Sequence, residues 1–276
     1  MAQSKNREVV ERRAEGGFVQ PIPLRCDKGI ASQQARVSPT RQAQALMCPS
    51  MQLGELIGSG RDADIYALGD NWILRRNRDG RSQREDAAVM AHLHAHGYPV
   101  PEIRPARDDS PADLIMQRVE GPTLMDAVLA GQVDAAEAGR MLADLLIRLH
   151  AVPLPDAATE EPAALETAIL HLDLHPLNVL HTPAGPVVID WANTRQGAPA
   201  RDWAMSALIL AQVALDGSGW SAVADATLGA LLALRPAGIV LDAAAMAPVR
   251  ADRDSDPNRP PGDLAGAVAL VIARAG

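Results

Sequence analysis

Lysine disappears from this chain after Lys28. The two lysines, Lys5 and Lys28, fall in the first fifty of 276 residues, and no GxxxxGK[ST] segment occurs, which excludes a P-loop nucleotide site. Cysteine is equally scarce. Cys26 and Cys48 lie in the same first segment, and nothing downstream could pair with them or complete a Cys/His metal site, so a disulfide framework and structural zinc are excluded. Long apolar runs are missing too. The longest, residues 204–214, is interrupted by Ser206 and Gln212 and falls short of the roughly 18–20 apolar residues of a membrane span. The basic residues Lys5, Arg7, Arg12 and Arg13 are followed by no apolar stretch, so neither part of a secretory signal is in place. No membrane association is expected, and a cytoplasmic location follows.

What is present is a hydrophobic fraction of 47%, enough in 276 residues for one large domain or two lobes. The net charge of −8 hides an asymmetry. Residues 1–50 carry eight Lys/Arg against four Asp/Glu, which leaves 18 of the 26 basic and 30 of the 34 acidic residues, or −12, to residues 51–276. A body of that sign has no electrostatic footprint for nucleic acid. Residues 1–50 mix Gln, Arg, Ser and Pro without periodicity and are expected to form a disordered extension, with Met51 the functional start.

From Met51 the pattern is strand, turn, strand, turn, strand. Apolar residues run over 51–57, a Gly-rich turn follows at Gly58-Ser59-Gly60, and strands are predicted over 63–68 and 72–76 around the turn at 69–71. Residues 81–96 place Ala87, Ala88, Met90, Ala91 and Leu93 at helical spacing and close at Gly97 and Pro99. Short strands over 102–105 and 113–119 complete a sheet lobe of residues 51–119. Residues 120–276 turn helical, with helices predicted over 123–130, 133–150, 200–215, 220–234 and 263–274 and a further one within 235–261. Inside this lobe, 178–181 and 186–189 are short β-like runs around a turn at 183–185. The fold class is α+β.

The most specific stretch is His171-Leu-Asp173-Leu-His175-Pro-Leu-Asn178, followed by Val187-Val-Ile-Asp190-Trp191. An Asp, an Asn five residues on, then an apolar strand ending in a second Asp match the catalytic loop and metal-binding Asp of kinases in type and spacing. Asp and Asn are also common loop formers, but three spaced matches around a β-turn seldom coincide. With His175 two residues beyond the Asp, the segment resembles the aminoglycoside phosphotransferase and choline kinase-like family, and the resemblance runs in order through most of residues 51–205.

That resemblance implies a bilobal protein-kinase-like fold and an ATP-dependent phosphotransferase moving the γ-phosphoryl group of Mg-ATP to a hydroxyl of a small molecule. Asp173 would orient the acceptor hydroxyl and accept its proton, Asn178 and Asp190 would hold Mg²⁺, and His171 would brace the loop. Gly58, Ser59 and Gly60 would approach the phosphates, although Ala63 replaces the third glycine and the motif alone equals an ordinary hairpin turn; Ile65 would cover the adenine. Arg75 stands where kinases carry a phosphate-pairing Lys, with Glu85 as its expected helix partner. Gln117 and Val119 belong to the hinge whose backbone would read the adenine edge. Asp202 is either a helix N-cap or the residue that holds the catalytic loop from beneath. His150, ending an apolar helix, is expected to pack or offset the helix dipole.

The acceptor is left unidentified. Only twenty residues separate His150 from His171, so a reduced acceptor pocket is expected, and the carboxylates of Asp156, Glu160, Glu161 and Glu166 in that interval read as solvated. A second reading is a catalytically weak nucleotide-binding regulator, suggested by the missing lysine. A protein kinase is disfavoured, because Asp-Phe-Gly and Ala-Pro-Glu are both absent.

Overall fold

Alternation along Trp72-Ile-Leu-Arg-Arg-Asn, with successive side chains on opposite faces, organises the first half of the molecule. The computed structural model describes residues 53–60, 62–106, 110–155, 167–256 and 262–276. The expected extension over 1–50, the start at Met51 and the acidic residues Asp156, Glu160, Glu161 and Glu166 lie outside the described residues. Strands β1 (Leu56–Ser59), β2 (Ala63–Leu68), β3 (Trp72–Asn77), β4 (Ile103–Arg104) and β5 (Asp113–Gln117) form one antiparallel sheet in the order β1-β2-β3-β5-β4. Its register sets Arg75 opposite Ile65 on one side and Leu114 on the other. Helix α1 (Arg84–Ala95) buries Met90 and Leu93 against this layer.

The helical half begins at α2 (Leu124–Leu129), where the Thr123 hydroxyl accepts the Asp126 N–H as a cap, and continues with α3 (Ala135–His150), capped by the Asp134 carboxylate. The apolar stripe of α3 puts Leu142, Leu145, Leu146 and Leu149 wholly in the core. Two three-residue strands, β6 (Ala168–Leu170) and β9 (Arg195–Gly197), pair antiparallel, and a hairpin of β7 (Val179–Thr182) and β8 (Gly185–Val188) lies between them in sequence. Helices α4 (Pro199–Leu215), α5 (Ser221–Ala233), α6 (Ala243–Ser255) and α7 (Leu264–Ala275) close the lobe. At Gly139 the α3 backbone comes so near Thr227 and Ala230 of α5 that any Cβ would overlap them.

The meander, α1 and the helical lobe match the sequence expectation, with ends shifted by up to three residues for most elements. The strand expected from residue 51 begins only at Leu56, and α1 starts at Arg84 because Gln83 turns inward instead of extending the helix. The helix expected in 235–261 is α6, started by the Asp242 side chain, which accepts the Ala244 and Ala245 N–H groups. Strands β6 and β9 were not predicted. Three residues are too few for a period to register.

The two halves meet through specific bonds. Val188 N–H donates to Pro99 O at 2.8 Å, and the buried Tyr98 donates its hydroxyl to Leu145 O at 3.2 Å while its ring stands edge-on to Trp191, 5.8 Å between centroids. Gly121 at the crossing has φ 152° and lies against His181 O, so only glycine fits both the conformation and the space.

Candidate active site

The loop between β6 and β7 is held open by a buried carboxylate. Asp202, fully buried on the first turn of α4, accepts the N–H of His171 at 2.9 Å with Oδ2 and that of Leu172 at 2.8 Å with Oδ1, and His150 Nε2 stands 3.0 Å from Oδ2. An ordinary N-cap accepts from its own helix; this side chain reaches across to another loop. Leu172 is thereby kept at φ 59°, a left-handed conformation that a non-glycine residue rarely adopts without external support. His150, expected only to pack or offset a dipole, is part of this brace.

His171 completes the turn. Its imidazole is wholly buried, with Nδ1 accepting the Asp173 N–H at 3.2 Å and Nε2 donating to Ile189 O at 3.1 Å, so one ring ties the loop to the residue before Asp190. Burial pushes its pKa below the usual histidine value, against the pull of Asp202, and the neutral ring is what both bonds require. Trp191 packs edge-on against it, 4.6 Å between centroids.

Asp173 and Asn178 are brought together by the short 3-10 turn Pro176–Asn178, which His175 caps by accepting the Leu177 N–H. The Asn178 amide donates to Asp173 O at 2.9 Å and to Asp173 Oδ2 at 3.1 Å, which leaves the Asn178 carbonyl oxygen facing elsewhere. His175 Nε2 lies 3.6 Å from Asp173 Oδ1, an electrostatic rather than a hydrogen-bonding distance. Burial alone would raise the Asp173 pKa, but the imidazole of His175, with His171 and Arg253, outweighs it and holds the carboxyl below the ordinary aspartate range. Asp173 is ionised at neutral pH.

Asp190, at φ 64°, is the second left-handed residue, and its carboxylate stands 3.9 Å from Arg75 Nη2. Asp tolerates this conformation better than most side chains. Arg75 is fixed from behind: its Nη1 donates to Gln83 Oε1 at 2.7 Å, and the Gln83 amide returns a bond to Arg75 O at 3.0 Å. Arg76, on the opposite face, is bidentate with Asp113.

The expected pair between Arg75 and Glu85 does not form. Glu85 is exposed and lines a separate cavity with Asp86 and Arg195, and Arg75 takes Gln83 and Asp190 instead, because Gln83 precedes the helix and turns inward. The helix carboxylate near the centre is Asp86, half-buried, whose pKa is raised by burial and by Asp190 and Glu85 against the pull of Arg81 and Arg75.

The turn Gly58-Ser59-Gly60 is stapled by Arg78, a residue that drew no notice in the sequence. Arg78 donates to Asp64 Oδ1 at 2.9 Å, to Ser59 Oγ at 2.6 Å and to the Gly60 carbonyl, while Ser59 Oγ donates to Asp64 at 2.8 Å. The Gly60 N–H is closed onto Ala63 O at 2.9 Å. Ile65 packs beside Gly58. At the hinge, the Gln117 N–H is committed to Glu102 O at 2.8 Å, whereas Val119 makes no backbone hydrogen bond among the described residues.

Arg75, Asp173 and Asp190 meet at a cleft of about 750 Å³, lined also by Met205, Trp220 and Arg253 from α4 to α6; Asn178, the Gly58-Ser59-Gly60 turn, Ile65, Gln117 and Val119 are not among its lining residues. Among the described residues no cluster of three or more His, Cys, Asp or Glu could hold a metal ion by itself. Mg²⁺ takes one or two protein oxygens and completes its shell with phosphate and water. Asn178 and Asp190 supply one amide and one carboxylate oxygen of the required hard type.

A sheet half crossed by one helix, a helical half, and an Asp-Asn loop braced against a following Asp define a protein-kinase-like phosphoryl-transfer enzyme. The family model described as the phosphotransferase enzyme family matches residues 54–164 and 157–238, and the chain belongs to that family. Among solved structures, the aminoglycoside phosphotransferase APH(4)-Ia is similar at a TM-score of 0.55 and 15% identity, over 87% of this chain and 100% of that one. A thermostable mutant of the same protein in apo form gives 0.51 and 16%, over 81% and 93%. A choline/ethanolamine kinase family protein from Mesorhizobium loti gives 0.48 and 16%, over 86% and 93%. The two likenesses to APH(4)-Ia establish the fold. No curated protein matches the chain. Among the described residues no helix is long and apolar enough to cross a membrane.

Proposed function

We propose that the protein is an ATP-dependent small-molecule kinase that transfers the γ-phosphoryl group of Mg-ATP to an alcohol, acting in the cytoplasm. The observation that carries this reading is that Asp173, Asp190 and Arg75 line one cleft, with Asn178 hydrogen-bonded to Asp173 beside it. In this reading residues 51–119 form the nucleotide lobe and residues 120–276 the lobe of the catalytic loop and acceptor.

The residue roles belong to the same proposal. Phosphoryl transfer asks the protein for positioning and charge neutralisation more than for covalent chemistry. A magnesium ion held by Asn178 and Asp190 would draw charge off the phosphates. Arg75 offers a guanidinium to the same phosphates, and its anchoring by Gln83 offsets the wider fork of arginine relative to lysine. Asp173, ionised and a weak base, orients the acceptor hydroxyl first; its oxygen forms the new bond to phosphorus as the bond to ADP breaks, and the hydroxyl proton leaves through Asp173. Gly58, Ser59 and Gly60 cover the phosphates, Ile65 the base. Because the Gln117 N–H is already used, Val119 is the hinge residue with a backbone free to read the adenine edge.

Calorimetric titration of the full chain with ATP, with and without Mg²⁺, tests this. Mg-dependent binding that is lost in Asp190→Asn is expected. Absence of ATP binding at millimolar concentration would sink the proposal. The regulator reading is separated by Asp173→Ala, which ends turnover in a kinase and leaves a binding-dependent function intact in a regulator.

A further inference from the structure

The far end of the cleft, beyond Asp173, is walled by helices of the second half. Met205, Ile209 and Val213 succeed one another at four-residue intervals on α4 and form an apolar stripe along it. Trp220, 41% exposed, and Leu177 of the catalytic turn, 39% exposed, add apolar surface on the same cavity. No short-insertion acceptor pocket is needed for this wall.

The charges at this end are already paired. Asp252 is engaged by Arg201, and Asp256 Oδ2 lies 3.2 Å from Arg253 Nη1. The remaining cleft carboxylates apart from Asp173 and Asp190 are Asp62 and Asp79, which stand on the sheet side. A polycationic acceptor finds no free carboxylate here among the described residues. What it meets instead is a guanidinium.

Arg253 is only 15% exposed and is held along two edges, Nε donating to Gln212 Oε1 at 3.0 Å and Nη1 to Asp256. Its Nη2 has no partner among the described residues, and the residue lines the cleft, close enough to Asp173 for its charge to lower that carboxyl's pKa. A part-buried arginine fixed on two edges with a third left open is a preorganised donor. It suits an oxygen acceptor, whether carbonyl or carboxylate.

We infer that this kinase takes a non-cationic, largely apolar alcohol, whose carbon skeleton lies on Met205, Ile209, Val213 and Trp220 and whose second oxygen function is received by Arg253 Nη2, which sets the reacting hydroxyl beside Asp173. The inference rests on the phosphotransferase reading of the same cleft and names its acceptor class. An amine-rich acceptor would set ammonium groups against Arg253, where among the described residues Asp252 and Asp256 are already engaged by arginines.

Saturation-transfer NMR on the full chain with two probes tests it: hydroxymethylbenzoate, an aromatic alcohol with one carboxylate, and gentamicin, a polyamine. Hydroxymethylbenzoate is expected to bind, to weaken about ten-fold in Arg253→Gln and in the surface variant Trp220→Ala, and to recover partly in Arg253→Lys. Gentamicin is expected to give no saturation transfer. Binding of gentamicin in preference to hydroxymethylbenzoate, or hydroxymethylbenzoate binding indifferent to both substitutions, would overturn the inference. Mg-ATP titration of the same samples keeps the two readings apart. Failure to bind ATP refutes the kinase alone, while the probe results judge the acceptor end independently.

Discussion

The backbone N–H of Leu172, held at φ 59°, donates to Asp202 Oδ1 at 2.8 Å across the gap between the catalytic loop and α4. Asp202 is fully buried and also takes the His171 N–H, so this one carboxylate fixes the turn from which Asp173 projects. Asp202→Ala strands two buried donors. It is expected to lower unfolding free energy by about 3 kcal/mol in urea titration. Asp202→Asn keeps one acceptor oxygen and is expected to lose roughly half as much stability, with turnover reduced in both.

His171 gives the protein a pH dependence of known sign. Its folded pKa lies below the unfolded value of about 6.5, so the unfolded chain binds the extra proton first as pH falls. The stability it contributes is present above about pH 6.5 and is lost progressively below it, by up to about 1.4 kcal/mol per pH unit for the single proton. Asp173 acts in a separate, more acidic window, since its depressed pKa makes its contribution fade only as pH falls below the ordinary aspartate value of 3.8. Thermal melts between pH 8 and pH 5 are expected to show a falling midpoint in the wild type and a flatter profile in His171→Gln.

The Arg75 environment separates two residues at the start of α1, Gln83 and Glu85. Glu85 is exposed and touches nothing at the centre, so Glu85→Ala is expected to change stability by less than about 0.5 kcal/mol and to leave ATP binding unchanged. Gln83 is 1% exposed and bonded to Arg75 at both ends of its amide. Gln83→Ala is expected to cost about 1–3 kcal/mol and to weaken ATP binding, measured by urea unfolding and calorimetry. Equal behaviour of the two variants would show that Arg75 does not depend on its anchor.

What was legible in the sequence was what sits close together along it. Asp173, Asn178 and Asp190 lie within one loop and hairpin, so their spacing alone carried them, and the α3 stripe was readable because seven buried positions repeat at helical intervals. Gln83, Arg78 and Arg253 gave no signal. Each acts on a residue that the fold brings near from another element, as Arg253 does from α6 toward Asp173, and no local pattern encodes such a meeting. The Glu85 partnership failed for the same reason: which residue before or within α1 faces Arg75 depends on where the helix begins, and the ends of helices are the least certain part of a pattern. The left-handed Leu172 was equally hidden, since its conformation is imposed by Asp202 and not by leucine.

Arg78 offers the last test, because its bonds are to the Gly58-Ser59-Gly60 turn, proposed to cover the phosphates, and not to Asp173, Asn178 or Asp190. It binds Ser59 Oγ, Asp64 and the Gly60 carbonyl, and the carboxylate of Asp64, held by Ser59 and Arg78, has its pKa lowered accordingly. With the Gly60 N–H closed onto Ala63 O, the turn is kept in one shape before any ligand arrives. A preformed loop saves the ordering entropy otherwise lost on binding. Arg78→Ala removes the staple while Asp173, Asn178 and Asp190 keep all their partners. The expected result is a KM for ATP raised about ten-fold with kcat little changed, read from initial rates over a range of ATP concentrations. A fall in kcat at unchanged KM would place Arg78 in the transition state instead and would contradict its assignment to loop shape.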